Sequence, residues 1–287
     1  MSILQECYFV GQRIRRASLL RRHDWFWKRL ARAWHAVSLQ IYRRRGVWTH
    51  INGDVFRFDP AFGSPLGRHD PRTHEPELYR AFTDAIRPGM RVFDVGAHIG
   101  IFALGAAARI RDGRVYAFEP LPETAAALRH HILLNRYDDR VSVVEAAVSD
   151  GDGPIRLYAS GVSTMASLGR ENPLMLSRST LDQPIRELEV LSVTLDAFCD
   201  RSKVVPDVLK IDAEGAELRV LRGARHLLVN EAPLIFCEIH PRQLRNCGSS
   251  LAELEGFLAG IDYVLEPITA PDAAGIFHCV VRRRERR

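Results

Sequence analysis

A strand–turn–helix signal in the first half of the chain limits its possible folds more than any other feature. An apolar strand ends in the pattern Asp94-x-Gly96-x-x-x-Gly100, and a helical segment follows the second glycine. The next apolar strand ends directly before Glu119. Glycines let the backbone approach a ligand closely, and an acid after the second strand can accept hydrogen bonds from ribose hydroxyls. The unit therefore predicts an α/β fold with a site for a nucleoside-bearing cofactor.

The glycine spacing separates the cofactors that such a unit can bind. A dinucleotide fingerprint that starts at Gly96 needs two further glycines at positions where this chain has His98 and Ile101. The acid-first pattern from Asp94 to Gly100 instead resembles the first motif of S-adenosylmethionine-dependent methyltransferases. We therefore expect S-adenosyl-L-methionine as cofactor, and methyl transfer rather than the hydride transfer of a nicotinamide-dependent oxidoreductase.

Each residue of the predicted cofactor site has a distinct expected role. Gly96 and Gly100 shape the turn, Asp94 lies near the ammonium group of the methionine moiety, and Glu119 accepts hydrogen bonds from the two ribose hydroxyls. Asp150 follows the third strand, where a side chain can reach the adenine amino group. An alternative role for Asp150 is to cap the turn that it begins.

A second acidic segment lies where a later strand ends. The apolar run Val208-Leu-Lys-Ile delivers Asp212 and Glu214 to the sheet edge that carries the glycine turn, and the neighbouring strand brings Glu238 and His240 to the same edge. Glu217, by contrast, is explained by the start of a helix, where an acid stabilises the helix dipole by about 0.3–1 kcal/mol. The sequence therefore predicts a carboxylate-rich site beside the cofactor.

These motifs, in this order, resemble the FkbM family of methyltransferases, and the resemblance covers roughly residues 75–245. It implies a class I methyltransferase fold and, for many members, O-methylation of hydroxyls on sugars, glycans or secondary metabolites. The motif segments are Asp94–Gly100, Phe118-Glu-Pro120, Leu209–Glu217 with Leu221-Arg-Gly223, and Glu238-Ile-His240. By this resemblance the residues that bind cofactor are Gly96, Gly100 and Glu119, and those that line the acceptor side are Asp212, Glu214 and Glu238.

Methyl transfer to an alcohol requires that the hydroxyl lose its proton, and a positioned base contributes about 10²–10⁴-fold to the rate. Our hypothesis is that His240 or Asp212 is this base, with Glu238 beside them. In a variant, Asp212 and Glu238 hold Mg²⁺, which lowers the pKa of the hydroxyl by direct ligation. A cofactor-binding protein without catalysis, recruited to membranes, is the alternative from another functional class.

The alternation of strands and helices predicts a mostly parallel seven-stranded sheet that ends in an antiparallel hairpin. The seven expected strands are 91–95, 114–118, 141–147, 207–211, 233–239, 263–268 and 276–281. Two more strands, 155–158 and 187–193, are expected in the region 152–200, which interrupts the alternation. The expected helices are 75–86, 100–110, 121–135, 216–228 and 249–260.

The charge distribution divides the chain into four segments. A basic amphipathic helical extension, 1–46, has a net charge of +9; a β-hairpin and loop, 47–74, follows; the methyltransferase domain is 75–281; and a basic tail, 282–287, adds +4. The body between the basic ends is acidic, so we expect no nucleic-acid partner for the fold itself. The aromatic stripe of the extension can pack on the domain or a partner chain, or lie on an anionic membrane surface, and the third alternative is an unpacked, disordered end.

The cysteines indicate a reducing compartment. The chain has five cysteines without C-x-x-C spacing, and several lie in apolar surroundings that favour buried thiols. No apolar run is long enough to span a bilayer. We therefore expect a cytoplasmic protein, with possible peripheral contact at the inner membrane surface through residues 1–46.

Overall fold

A computed structural model describes residues 44–59, 75–160, 166–168 and 185–284. The chain divides into two compact units, Met1–Arg72 and Thr73–Arg287. The predicted extension over 1–46 lies outside the described residues except for its last three, as do most of the loop that ends at 74 and the last three residues of the basic tail. Among the described residues, no helix is both long and apolar enough to cross a membrane.

The predicted hairpin of the first unit is confirmed. Strands β1 (Val47–Ile51) and β2 (Asp54–Phe58) pair antiparallel across a two-residue turn. Asn52 and Gly53 adopt positive φ angles of 48° and 98°, as a tight hairpin turn requires.

The second unit contains the remaining strands and helices. The strands are β3 (Arg91–Val95), β4 (Arg114–Phe118), β5 (Val141–Val144), β6 (Ala147–Val148), β7 (Gly153–Ser160), β8 (Ala166–Ser167), β9 (Ile185–Val193), β10 (Val208–Ile211), β11 (Leu234–Ile239), β12 (Tyr263–Pro267) and β13 (Phe277–Arg283). The helices are α1 (Pro76–Ala85), α2 (Ile101–Ala107), α3 (Pro122–Leu134), α4 (Leu195–Ser202), α5 (Glu217–Arg222), α6 (Arg225–Glu231), α7 (Pro241–Asn246) and α8 (Leu251–Ala259).

Seven of these strands form the predicted sheet, in the order β12-β13-β11-β10-β3-β4-β5. Five of them are parallel, and β13 lies antiparallel between β11 and β12, which confirms the terminal hairpin. Strand β13 continues to Arg283, two residues into the segment predicted as tail, because Arg282 pairs with Val264 in the ladder and with Glu266 in a 2.8 Å ion pair.

Aromatic side chains cover both faces of the sheet. Phe93 on β3 packs edge-to-face with Phe198 of α4, with ring centroids 5.5 Å apart. On the opposite face Phe236 of β11 meets Phe82 of α1 at 5.7 Å. Such aromatic pairs contribute about 0.5–1.5 kcal/mol beyond their buried area. Because helices cover both faces of the sheet, the ends of the strands are where a polar ligand can bind.

The segment between β5 and α4 departs from the prediction. The strand expected over 141–147 is two strands, because the chain turns at Glu145 and Ala146, where the Ala146 N–H donates to the Val144 carbonyl at 3.0 Å. Strand β6 then joins a separate four-stranded sheet of order β6-β9-β7-β8. The strands expected at 155–158 and 187–193 belong to this sheet as the longer β7 and β9.

The helix predicted over 216–228 is also two helices, α5 and α6. Gly223 lies between them, and a Cβ at this position would be 2.0 Å from the Ser149 carbonyl oxygen. The Asp196 carboxylate accepts hydrogen bonds from the His226 and Leu227 N–H groups at 2.8 Å, which starts α6. Helices α4 and α7 were not predicted; the N-terminus of α4 is capped by Thr194, whose hydroxyl accepts from the Ala197 N–H.

We predict that Gly96→Ala destabilises the protein more than Gly89→Ala does. Both glycines have positive φ, but only at Gly96 would a Cβ meet the backbone, 1.8 Å from the Asp212 carbonyl oxygen. Both substitutions carry the strain of positive φ, and overpacking adds about 1–3 kcal/mol at Gly96 alone. Urea denaturation of the two variants measures this difference. Equal losses of unfolding free energy would contradict the close approach.

Candidate active site

The carboxyl ends of the parallel strands bring most of the predicted site residues together. Strands β3, β10 and β11 are neighbours in parallel register, so Asp94 lies beside Lys210, and the residues that follow β10 and β11 reach the same edge. Asp212, Glu238 and His240 all lie there. The edge therefore combines the acid of the glycine turn with those of the second acidic segment and of the neighbouring strand.

Glu119 is hydrogen-bonded to the backbone of the glycine turn. Its Oε2 accepts from the His98 N–H at 3.0 Å, and its Oε1 accepts from the Leu121 N–H at 2.9 Å. Burial raises the pKa of this carboxyl to about 8, although the two backbone bonds oppose the shift. Glu119 therefore holds the shape of the turn, in addition to the ribose-binding role that remains a prediction.

Both glycines of the turn have positive φ angles and close neighbours, and at Gly96 the neighbour is backbone. Gly96, with φ of 76°, lets the backbone at Asp212 approach the turn directly. Gly100, with φ of 99°, lies where a Cβ would be 2.5 Å from the Leu128 side chain. The predicted cofactor turn and the second acidic segment are thus immediate neighbours.

Lys210 is a buried cation that the sequence analysis did not single out. Its Nζ lies 3.2 Å from Asp212 Oδ2 and 3.8 Å from Asp94 Oδ1, and it stands 4.6 Å from the centre of the Phe102 ring. Burial alone would lower the pKa of Lys210, but the carboxylates of Asp212 and Asp94 raise it above its usual range. Lys210 is therefore a buried positive charge between the strand that leads to the glycine turn and the second acidic segment.

The pKa values of the two aspartates beside Lys210 are shifted in opposite directions. Burial raises the pKa of Asp94 to about 6, with Lys210 opposing the shift. The pKa of Asp212 is lowered despite burial, because Lys210 and His240 stabilise its charge. The side chain of Asp94 is 1% exposed, whereas that of Asp212 is 24% exposed. Asp212 is therefore an ionised carboxylate that a ligand can reach.

His240 is oriented by Glu217. The His240 Nδ1 lies 2.8 Å from Glu217 Oε1, and this oxygen also accepts from the Gly215 N–H at 2.9 Å. Burial alone would lower the pKa of His240, but the bond to Glu217 and the nearby carboxylates raise it well above its usual value. The surroundings of the ring therefore favour its protonated form.

The other ring nitrogen of His240 faces the carboxylates of the edge. Its Nε2 lies 3.7 Å from Glu238, 3.8 Å from Glu214 and 4.0 Å from Asp212. Burial raises the pKa of Glu214 to about 7, with His240 opposing the shift. Glu214 also has a positive φ of 48°, so a strained loop presents this acid to the site.

Glu75 and His278 were also not identified from the sequence. Glu75 precedes Pro76 at the start of α1, yet its side chain makes no capping hydrogen bond to the helix and lies 3.8 Å from the His278 Nε2. His278 is on β13, opposite Glu238, and its Nε2 is 3.6 Å from Glu238 Oε1. The sequence indicated that His278 lies in the last strand, but it did not indicate which residue of β11 lies opposite His278.

Asp150 is not part of this cluster. It is exposed, and its Oδ1 accepts a 3.1 Å hydrogen bond from the Ser149 hydroxyl. The turn that follows is anchored by Asp152 instead, which accepts from the Thr194 N–H and from Arg201, both at 2.7 Å. A role for Asp150 at the adenine remains a prediction.

The strand order and the acidic edge define the class I methyltransferase fold. The family model described as the Methyltransferase FkbM domain matches residues 94–265, and the chain belongs to this family of methyltransferases. The 31-O-demethyl-FK506 methyltransferase FkbM of Streptomyces tacrolimicus is 31% identical over 238 residues, which cover 72% of this chain and 89% of that relative.

One further relative and one crystal structure are also similar to this chain. Methyltransferase sdnD of Sordaria araneosa is 29% identical over 153 residues, covering 46% of this chain and 59% of the relative. The crystal structure of Methyltransferase FkbM from Methylobacillus flagellatus KT aligns with a TM-score of 0.45 at 16% identity, over 89% of this chain and 60% of that one.

We predict that Lys210→Met destabilises the protein by about 3–5 kcal/mol, because it removes the cation from a buried group that includes two carboxylates. The matched control is Arg129→Met, which removes a cation from an exposed ion pair with Glu145 at 2.8 Å. We expect that change to cost about 0–1 kcal/mol. Chemical denaturation gives both values, and similar losses would show that Lys210 contributes no more than a surface charge.

Proposed function

We propose that the protein transfers a methyl group from S-adenosyl-L-methionine to a hydroxyl of a sugar, glycan or secondary metabolite. The observation that carries this proposal is the direct packing of Gly96 against the Asp212 backbone, with no room for a Cβ. A cofactor in the glycine turn would therefore be next to an ionised carboxylate. Methyl donor and proton acceptor would share one edge.

The residues of the turn fit this cofactor. Glu119 is buried beside the turn, and ribose hydroxyls can donate to its carboxylate. Asp94 makes no hydrogen bond to a described side chain, and its cation partner among the described residues is Lys210 at 3.8 Å, so a ligand ammonium at the adjoining turn would add a favourable charge. When bound, S-adenosyl-L-methionine supplies an electrophilic methyl group on a sulfonium.

Asp212 is the better candidate for the base. A group that accepts a proton must be unprotonated when the acceptor binds, and the lowered pKa of Asp212 meets this condition at neutral pH. His240 does not, because its pKa is raised. In the proposed step Asp212 takes the hydroxyl proton, the oxygen forms a bond to the methyl carbon, and the carbon–sulfur bond breaks with its electron pair on sulfur.

An oxygen acceptor is supported by the relative from Streptomyces tacrolimicus, whose name specifies methylation at an oxygen. Membership of a methyltransferase family also makes the nicotinamide-dependent oxidoreductase and the cofactor-binding protein without catalysis weaker alternatives. Membrane contact through residues 1–46 and a cytoplasmic location remain predictions.

Calorimetric titration tests the cofactor, and a screen tests the acceptor. We expect one equivalent of S-adenosylmethionine or S-adenosylhomocysteine to bind, and NAD not to bind. A labelled methyl donor, incubated with hydroxylated metabolites and glycans, should give a methyl ether detectable by mass spectrometry. Absence of binding by both sulfur compounds would refute the proposal.

We predict that Asp212→Asn lowers kcat by about 10²–10⁴-fold, because the amide cannot accept the hydroxyl proton. The amide can still accept a hydrogen bond from Lys210, so we expect cofactor affinity to change by less than about tenfold, or 1.4 kcal/mol. Asp139→Asn is the control, because Asp139 is exposed and pairs with Arg140 away from the edge. Unchanged kcat in Asp212→Asn would remove Asp212 as the base.

We also predict that the affinity for 5′-methylthioadenosine rises with pH. This nucleoside has the ribose of the cofactor but no amino group that titrates. Below about pH 8 the Glu119 carboxyl is protonated in the free protein, so binding through its carboxylate must release a proton. Affinity should therefore increase by up to about tenfold per pH unit and level off above pH 8.

Glu119→Gln is the matched variant for this measurement, since glutamine keeps the size of the side chain and does not titrate. Its affinity should be lower at high pH and nearly independent of pH. If the affinity of the variant rose with pH as steeply as that of the unsubstituted protein, another group would cause the pH dependence. The contact between Glu119 and the ribose would then be refuted.

A further inference from the structure

The surroundings of His240 Nε2 are unusual for a histidine that is only an ion-pair partner. The side chain is 3% exposed, and its Nδ1 makes a 2.8 Å bond to Glu217. A ring nitrogen that serves only as the partner of a carboxylate would lie about 2.7–2.9 Å from it, the length of a charge-assisted hydrogen bond. Instead, its nearest carboxylates among the described residues lie at 3.7–4.0 Å, beyond hydrogen-bonding distance.

This spacing is within the range open to ligands of a common ion. Nitrogen and oxygen ligands lie about 2.0–2.2 Å from a transition-metal ion, so two ligands of one ion are separated by up to about 4.3 Å. Nε2 of His240 is 4.0 Å from Asp212 Oδ1 and 3.7 Å from Glu238 Oε1. The ligand atoms of these three residues all lie within 4.8 Å of one another, so a shift of about half an ångström would bring every pair within this limit.

The hydrogen bond on the other side of the ring supports the same conclusion. A histidine that binds a metal commonly donates its second N–H to a carboxylate, which fixes the tautomer and the ring orientation. Glu217 is fully buried and is in this position relative to His240. Its bond to Nδ1 leaves Nε2 as the atom directed at Asp212 and Glu238.

We propose that Asp212, Glu238 and His240 form a binding site for a divalent transition-metal ion. An imidazole with two carboxylates suits Mn²⁺, Fe²⁺, Co²⁺ or Zn²⁺ better than Mg²⁺, which prefers an all-oxygen environment. The ion would displace the proton from Nε2. Its binding does not depend on methyl transfer. Only one further step rests on the proposed function: in the loaded protein Asp212 would be a metal ligand instead of the base, and the ion would lower the pKa of a bound hydroxyl so that its proton passes to water.

Glu75, Glu238 and His278 form a second set of possible ligands that shares Glu238 with the first. The two sets can be separated by substituting a residue that belongs to only one of them. Asp212→Asn alters the proposed set, and His278→Gln alters the other. Glu145→Gln, in an exposed ion pair with Arg129, is the control for the removal of a single charge.

The test uses the full chain after chelation and dialysis, titrated with Co²⁺ and separately with Mg²⁺. We expect one Co²⁺ per chain with visible absorption bands of nitrogen and oxygen ligation, and weaker binding of Mg²⁺. Asp212→Asn and Glu238→Gln should each weaken Co²⁺ binding by about 10–100-fold, whereas His278→Gln and Glu145→Gln should change it less than about threefold. Circular dichroism shows whether each variant is folded.

Three results would overturn the proposal: no Co²⁺ binding, tighter binding of Mg²⁺ than of Co²⁺, or binding that depends on His278 and not on Asp212. Methyl transfer is then measured with and without chelator. Activity without any metal binding would refute the metal site and leave the proposed function intact. Metal binding without any methyl transfer would refute the proposed function and leave the site intact.

Discussion

Charge compensation at one end of a parallel sheet is the constraint on which the rest of the structure depends. Carboxylates buried without a cation would be protonated or would destabilise the fold by several kcal/mol. Lys210 meets this need for Asp94 and Asp212, and it does so from within the central strand β10. Because its backbone is held in the ladder and its side chain is buried, the cation is kept beside both carboxylates, and the charge of the acid that reaches solvent is stabilised.

A second centre of positive charge, His240, compensates the acids farther along the edge. Its orientation depends on Glu217, which the sequence analysis explained by the helix dipole alone. In the structure the Glu217 carboxylate accepts from both the ring of His240 and the backbone of Gly215. The start of α5 and the geometry of the site are therefore determined by the same side chain.

The sheet and the acids at its edge could be predicted because the ends of parallel strands meet wherever the chain alternates strands and helices. The partners of those acids could not be predicted in the same way. Lys210 lies inside an apolar strand, and the contact between His278 and Glu238 depends on the register of an antiparallel pair. The break between α5 and α6 depends on Gly223 packing against Ser149, a contact between residues far apart in sequence.

The edge has a cofactor half, formed by the glycine turn and Glu119, and an acceptor half, formed by Asp212, Glu238 and His240. Different interactions hold the two halves in place. The cofactor half is fixed by backbone hydrogen bonds to Glu119 and by the close approach at Gly96, so its shape depends on chain geometry. The acceptor half is fixed by ion pairs around Lys210 and His240, so its shape depends on which groups are ionised. Neutral substitutions that preserve size should therefore affect the acceptor half more, because they leave chain geometry intact and remove the charges that position the acids.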